Sequence, residues 1–179
     1  LQAVVDGKHP RPMVSVEKAK ELLKNMTEKE SVEITETMVV NQSTIVTINQ
    51  TNGTSVSFND VIEGDLNQVV SNFNSITDIT IDSLTYSFSN LIGNENASIV
   101  SASIEINGIT VAVVSDLNIA QEIDNGSVFQ ITDLNILDQL ETSFLNNSSV
   151  TLNLSGMAIS EEGDVSFEIG VSMQLTASF

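Results

Sequence analysis

Carboxylates gathered at two turns are the side chains of this chain whose types and spacing could do chemistry. Glu161, Glu162 and Asp164 lie within one four-residue segment, and Glu122 and Asp124 share another turn. Clustered carboxylate oxygens are ligands that Ca²⁺ accepts, and flexible loops suit its coordination. Neither turn matches the EF-hand pattern. Two interpretations therefore stay open: a calcium site at one or both turns, or solvated loop carboxylates.

The residue types needed for covalent catalysis are scarce. The only histidine, His9, lies in the segment Lys-His-Pro-Arg-Pro, and the chain has no cysteine. A Ser-His-Asp or Cys-His nucleophile needs a rigidly held imidazole, which a proline-flanked extended segment does not provide. A glycosidase would pair two carboxylates across a sugar cleft, but aromatic platforms are limited to Tyr86 and seven phenylalanines. We expect no enzymatic activity, no catalytic residues and no cofactor other than Ca²⁺.

The charges are divided unequally along the chain. The net charge is −18 over 179 residues, yet all six Lys and Arg residues lie in the first 29 positions, which carry a net +2. The other 150 residues hold 20 carboxylates and no Lys or Arg. Such a body repels nucleic-acid phosphates and anionic lipids. It suits either solubility in a salty or extracellular medium, or the binding of Ca²⁺ or of a basic segment from another chain.

Acceptor motifs for N-glycosylation are frequent. Asn-X-Ser/Thr occurs nine times, which indicates a secreted glycoprotein or, alternatively, a surface that is simply rich in Asn, Ser and Thr. The asparagines are Asn25, Asn41, Asn49, Asn52, Asn96, Asn125, Asn146, Asn147 and Asn153. The chain also starts at Leu1 rather than Met, which favours removal of a leader and an extracellular or cell-surface location.

The N-terminal segment differs in composition from the rest of the chain. Residues 1–14 contain both prolines and are predicted to form an extended arm. Ser15 can cap a helix over about 16–28, because its apolar residues recur at helical spacing. This helix either covers one end or face of a sheet or binds a partner. We expect one domain, residues 15–179, with the helix as its first element.

Strict alternation marks the C-terminal part of the chain. Apolar residues alternate with polar or small ones over 165–179, which predicts a strand with one buried face. A similar run over 150–158 precedes the acidic turn, so we predict a long hairpin over 148–179 at the centre of an antiparallel sheet.

Other segments also alternate, although less regularly. Short strands are predicted over 31–40, 43–49 and 54–58, and a helical segment over 60–74. A long strand over 76–91 changes phase at Asp82-Ser83, which is typical of a β-bulge.

Turn and cap signals complete the prediction. Asn107-Gly108 between alternating residues predicts a tight hairpin. Thr132 or Asp133 can cap a helix that carries Leu140 and Phe144. The fold class is therefore mainly β: an antiparallel β-sandwich, immunoglobulin-like or related, with an N-terminal helix and one or two short peripheral helices.

Two stretches carry a family resemblance. They are residues 79–106, beginning Ile-Thr-Ile-Asp-Ser-Leu-Thr-Tyr, and residues 131–179, which include Phe-Leu-Asn-Asn-Ser-Ser-Val-Thr-Leu-Asn-Leu-Ser-Gly. The region 76–179 resembles uncharacterised secreted or lipoprotein β-sandwich proteins of marine flavobacteria. The resemblance implies an exported, cell-surface setting and brings no catalytic residues. The basic segment 1–29 lies outside it.

These observations favour a non-catalytic extracellular structural protein that self-associates, as a filament or surface-layer subunit, through its basic arm. Leu1, Val4 and Val5 could add as a strand to the sheet edge of another copy, while Lys8 and Arg11 face its carboxylates. The expected partner is another copy, with no nucleic acid and no membrane insertion. The alternative is a surface module that binds a glycan or a small molecule.

Overall fold

The computed structural model describes residues 34–49, 51–68 and 75–179 and, before them, only Glu17, Lys18 and Lys20. The chain divides into two compact units, Leu1–Glu33 and Ile34–Phe179. In the first unit the three described residues are helical and exposed. The predicted arm 1–14 and the rest of the predicted helix 16–28 lie outside the described residues, so the boundary of the single domain at residue 15 stays a prediction.

The second unit is built mainly from strands. In chain order its described elements are β1 (Thr35–Ile48), β2 (Val56–Asp65), a 3₁₀ turn (Leu66–Gln68), β3 (Asp78–Gly93), β4 (Ser98–Ile106), β5 (Ile109–Asn118), α1 (Ile119–Asp124), β6 (Val128–Gln130), α2 (Leu134–Asn146), β7 (Ser149–Ile159) and β8 (Val165–Ser178).

The strands form two four-stranded antiparallel sheets. Sheet A has the order β1-β8-β3-β6, and sheet B has the order β2-β7-β4-β5. The predicted antiparallel β-sandwich is confirmed. Among related sandwiches, an eight-stranded pair of sheets in this order is the jelly roll, whereas an immunoglobulin sandwich has seven or nine strands arranged differently.

The predicted hairpin over 148–179 is wrong in its pairing. Strands β7 and β8 are each central, but β7 lies between β2 and β4 in sheet B, and β8 lies between β1 and β3 in sheet A. The turn at Glu161–Asp164 therefore carries the chain from one sheet to the other. A strand that crosses to the other sheet shows the same alternation and the same turn residues as a strand that pairs with the one before it. The sequence pattern therefore does not distinguish the two arrangements.

The register of β8 agrees with its alternation. Every odd-numbered residue from Val165 to Ala177 is buried, while residues such as Gln174 point outward. The predicted bulge in β3 is present, because Ile81 pairs with Leu175 and Ser83 pairs with Gln174, which leaves Asp82 unpaired in the ladder. The central strands β8 and β3 thus present a largely apolar face to sheet B.

The first two strands are longer than expected. One strand, β1, replaces the predicted strands 31–40 and 43–49. Strand β2 replaces the first part of the predicted helical segment 60–74, the 3₁₀ turn Leu66–Gln68 follows it as a helical turn, and residues 69–74 lie outside the described residues. The inward-facing residues of these edge strands include Gln42, Thr44 and Asp60. Polar residues on the inner face hid the period-two pattern.

Antiparallel pairing places the connections at two opposite ends. Segments 51–55, 94–97, 119–127 and 160–164 share one end, where Thr51 N donates to Ser160 O at 2.8 Å and Asn94 Nδ2 donates to Ser160 Oγ at 3.2 Å. The hairpin Asn107-Gly108, helix α2 and the C-terminal Phe179 lie at the other end. We call the first of these the four-loop end.

The two described helices cover one side of the sandwich. Asp133 caps α2 by accepting a bond from Asn135 N at 2.9 Å, as predicted, and α2 buries Leu140 and Phe144. Both helices pack on β3 and β5. The opposite side of the sandwich is formed by the edge strands β1 and β2.

Candidate functional site

The two acidic turns proposed for calcium come to the same end of the molecule. Glu161, Glu162 and Asp164 are exposed at the four-loop end, where Ser160 Oγ donates to Gly163 O at 2.7 Å within the turn. Glu122 and Asp124 lie on α1 at that end. Nowhere in the described residues do three or more His, Cys, Asp or Glu side chains form a group that could hold a metal. Calcium binding stays a prediction of the sequence.

A groove runs between the two edge strands on the side away from the helices. We call it the β1–β2 seam, lined by residues 40–47 of β1 and 57–65 of β2. Near one end it opens into a cavity of about 400 Å³ whose lining includes Gln42, Glu63 and Asp65. A second cavity of about 430 Å³ is lined by residues that include Phe58 and Asp60. Thr44 Oγ1 donates to Asp60 Oδ2 across the seam.

The seam reaches the apolar interior. A narrow continuation of about 10 Å³ is lined by Val40, Gln42 and by core residues of both sheets, such as Leu152 and Met173. Between the sheets, 30 buried apolar side chains of the described residues form one core. The seam is therefore an opening at an edge, with apolar walls below and carboxylates along the β2 side.

Exposed apolar side chains accompany the same edge strands. Val39 and Ile45 on β1 are 53% and 70% exposed, and Val61 on β2 is 51% exposed. Strand β1 has 14 residues, contains no proline or lysine, and carries only one charge, Glu36. Long sheet edges in soluble proteins are normally blunted by charge, proline or bulges, because their free backbone groups can pair with another chain.

The outward face of sheet A holds one well-connected carboxylate. Hydrogen bonds from Ser43, Asn90 and Ser89 to the side chain of Glu168 lower its pKa, and its partial burial opposes that shift. The Ser89 bond is 3.4 Å long, and Asn90 has a left-handed backbone (φ 53°) at a bulge of β3. The bonds connect β1, β8 and β3, so they hold three adjacent strands together.

A shallow depression lies beside this carboxylate. Its volume is about 230 Å³, and Gly170 of β8 forms its floor, because no side chain rises there. Polar side chains from β1, β3 and β8 surround it: Asn41, Ser43, Thr85, Ser87 and Ser172. Such a surface offers hydrogen-bond donors and acceptors but no aromatic platform.

The single tyrosine has a packing role. Tyr86 stacks on Phe129 with ring centroids 4.7 Å apart and meets Phe88 edge-to-face at 6.1 Å. Burial, with a smaller contribution from Glu122, raises the pKa of Tyr86. Tyr86 and Phe129 join β3 to the short strand β6, which positions α1 and its acidic turn.

The described sequons differ in their suitability for glycans. Asn41, Asn49, Asn52, Asn96, Asn125, Asn146 and Asn147 are exposed. Asn153 is half-buried in the central strand β7, its Nδ2 donates to Glu105 Oε2 at 3.4 Å, and its Oδ1 is buried without a partner. Asn153 is therefore the least accessible acceptor among the described asparagines, and Asn25 lies outside the described residues.

The residues proposed to bind a partner, Leu1, Val4, Val5, Lys8 and Arg11, lie outside the described residues. The seam that could receive such a segment was not predicted from the sequence. The available signal was the set of polar residues at the buried phase of two edge strands, Gln42, Thr44 and Asp60.

None of the helices in the described part of the chain has the length and apolar character of a membrane-spanning helix.

The fold and its surfaces define an eight-stranded jelly-roll sandwich with an open, acidic seam at one edge. No family model matches the chain. No curated protein matches it either. The resemblance to flavobacterial proteins thus stays an expectation.

Among solved structures, similarity is found to viral capsid proteins. The decameric BFDV capsid protein has 10% identity and a TM-score of 0.39, with 80% of this chain and 99% of that chain covered. The 60-mer BFDV capsid protein has 7% identity and a TM-score of 0.35, over 83% and 95% of the two chains. The infectious bursal disease virus VP2 subviral particle has 11% identity and a TM-score of 0.26, over 83% and 37%. Scores at this level carry no conclusion about what this chain does.

Proposed function

We propose that this chain is a non-catalytic structural protein whose copies associate with one another through the basic N-terminal arm. The division of charge is the observation that carries the proposal. The unit Ile34–Phe179 contains 18 carboxylates and no Lys, Arg or His, whereas residues 1–33 contain every basic side chain. Two such sandwiches repel each other unless a basic segment of one contacts the carboxylates of the other.

A second observation supports a structural role. The inner faces of the two sheets are packed mainly with apolar side chains, and the inward-facing polar residues Gln42, Thr44 and Asp60 lie on the edge strands β1 and β2. The decameric and 60-mer assemblies belong to the capsid proteins described above. Support for association here comes from this chain's own charge and from the long edge of β1, which is unpaired among the described strands.

Light scattering on the full chain and on arm variants tests this function. The double variant Lys8→Glu and Arg11→Glu reverses the charge of the arm. We expect a lower average mass than for the unmodified chain, and the same loss on deletion of residues 1–13. Because exposed charge pairs are screened by salt, the unmodified chain should also dissociate as ionic strength rises.

The matched control is Lys20→Glu with Lys24→Glu, which changes the net charge equally but outside the arm. If both double variants behave like the unmodified chain, the arm does not drive association. If the control variant dissociates as strongly as the arm variant, general charge repulsion explains the result and the arm has no special role.

The extracellular setting belongs to the same proposal. It is supported by the excess of sequons and by the exposure of most described acceptor asparagines. The intact mass of protein from its natural source, before and after enzymatic removal of N-glycans, tests it. A mass equal to that of the bare polypeptide in both samples would remove the glycoprotein part of the proposal.

The second candidate is a surface module that binds a glycan or small polar molecule. The hydroxyl-lined depression over Gly170 favours it. A Gly170→Val substitution would fill the depression, since a Cβ at this position meets only Ser87 Oγ at 3.8 Å. Binding in a glycan screen that disappears in this variant would support the second candidate; screening without any hit argues for the structural role alone.

A further inference from the structure

We infer that the β1–β2 seam is the acceptor for the N-terminal arm of a second copy, which adds as a strand along β1. This inference rests on the proposed function and names the surface that it uses. The acceptor edge is the side of β1 that no other strand among the described residues pairs with, since β8 pairs with its opposite side over the whole range from Thr35 to Ile48.

The shape of the edge favours an extended occupant. Fourteen residues of β1 give an edge of about 46 Å at the usual rise of a strand. The first eight residues of the chain, from Leu1 to Lys8, would span about 26 Å when extended. The main-chain groups of these eight residues can therefore all pair with β1, and about 20 Å of the β1 edge is left over.

The side-chain pattern of the arm suits the seam. Leu1, Ala3 and Val5 alternate with Gln2, Val4 and Asp6. In an added strand, the first set would point toward β2 and cover the cavities that open toward Val40 and Phe58. Val4, on the other set, would lie over the outer face of sheet A, where Val39 and Ile45 are exposed.

Charge complementarity favours a basic segment as the occupant of the seam. Glu63 and Asp65 line one cavity of the seam, Asp60 lines the other, and Glu36 is exposed on β1. No basic residue exists anywhere in the unit Ile34–Phe179 to balance them. Lys8 and Arg11 follow Val5 by three and six positions. Gly7 lets the arm turn out of the added strand before them, so their side chains can reach these carboxylates.

Contacts of this kind have a consequence for assembly. The donor arm and the acceptor seam are different surfaces of the same chain, so each copy can give one arm and receive another. Such heterologous contacts produce rings when the rotation between copies closes and filaments when it does not.

The absence of cysteine makes disulfide trapping a clean test. One full-length chain carries Val4→Cys or Val5→Cys, and a second, ¹⁵N-labelled full-length chain carries Asn41→Cys or Gln42→Cys. The two positions on each side cover both phases of a strand. We expect a mixed disulfide between the two chains after mild oxidation, identified by its intermediate isotopic mass.

The matched control places the acceptor cysteine at Ser115, an exposed position on β5, the edge strand of sheet B on the side of the helices. The mixed disulfide should form at least tenfold more slowly there than at β1. Glu63→Lys in the acceptor chain should slow trapping at β1, and Lys8→Glu in the donor chain should restore it in part.

The possible outcomes are separable. If the mixed disulfide forms equally fast at Ser115, the seam is not the acceptor. The same holds if no mixed disulfide forms at β1 while light scattering still shows association. Both results leave the proposed function standing. A third full-length chain carries both Val5→Cys and Gln42→Cys. A disulfide that forms only within this chain would show that the arm covers the seam of its own chain, which also overturns the inference. A chain that remains monomeric would contradict the proposed function itself.

Discussion

Two glycines in central strands meet different surroundings, and they test how closely the sheets are packed. A Cβ at Gly156 of β7 would lie 2.5 Å from both Ser101 O and Phe58 Cζ, whereas a Cβ at Gly170 of β8 would meet only Ser87 Oγ at 3.8 Å. We expect Gly156→Ala to reduce the free energy of unfolding by about 1–3 kcal/mol.

Gly170→Ala is the matched comparison. It removes backbone freedom from the unfolded chain without a clash, so its effect should lie between neutral and a gain of about 1 kcal/mol. Urea unfolding of both variants measures the difference. Equal destabilisation would mean that the close approach of β7 to Phe58 and Ser101 is not present in solution.

Glu168 makes stability depend on pH. Its folded pKa is lowered by hydrogen bonds from Ser43, Asn90 and Ser89, so these bonds stabilise the folded state above the ordinary value of 4.5. The contribution is lost as pH falls through the lower, folded pKa. The difference in unfolding free energy between the unmodified chain and Glu168→Gln should therefore be largest near neutral pH and shrink in acid.

Glu95→Gln supplies the control, because it removes one negative charge from an exposed loop. Unfolding free energies of the three proteins across an acidic pH series provide the measurement. A Glu168→Gln profile that runs parallel to the unmodified chain at every pH would show that the carboxylate is not held by its neighbours.

Single residues also explain which parts of the site were predictable. The acidic turns were visible because their carboxylates are adjacent in sequence. Glu168 was not visible, because its partners Ser43 and Asn90 come from strands far away along the chain. The seam was missed for a similar reason: Thr44 and Asp60 are recognisable as a pair only when β1 and β2 face each other.

At the scale of elements, the hairpin between β4 and β5 does more than reverse the chain. Asn107 and Gly108 adopt φ values of 50° and 78°, as an Asn-Gly turn predicts. The Asn107 side chain also donates to Ser143 Oγ at 3.0 Å and accepts from Thr151 N at 2.8 Å. It therefore attaches the turn to α2 and β7.

Asn107→Gly introduces a residue that tolerates this left-handed backbone, and it removes the side chain that bonds to Ser143 and Thr151. We expect a loss of about 1–3 kcal/mol in unfolding free energy, because polar groups of β7 lose their partner. Asn52→Gly is the control, since Asn52 has nearly the same backbone (φ 49°) in an exposed turn. Thermal or urea unfolding compares them, and equal effects would show that only the backbone change matters.

The pairing of elements was harder to predict from the sequence than the elements themselves. Alternation correctly predicted β8, and the phase change at Asp82 correctly predicted the bulge in β3. The partner of β8 could not be predicted, because β1 lies more than a hundred residues away and its inner face includes Gln42 and Thr44. A short turn such as 160–164 is compatible both with a hairpin and with a crossing between sheets.

At the scale of the whole molecule, charge is what the sequence reveals most directly. The unit Ile34–Phe179 has no basic residue, and the fold distributes its carboxylates over the four-loop end, the seam and the outer faces. Composition alone therefore predicted a body that repels nucleic-acid phosphates and anionic lipids and that could bind a basic segment of another chain. It could not show that the long edge of β1 is unpaired among the described strands, since the order of the strands decides which edges are left.

Sedimentation velocity of the full chain over a range of concentrations and ionic strengths tests the central claim most directly. At low ionic strength we expect species larger than the 19.2-kDa chain, with a weight-average sedimentation coefficient that rises with concentration and falls as salt is added. A single 19.2-kDa species at every concentration and ionic strength would contradict the claim that this protein is a self-associating structural subunit.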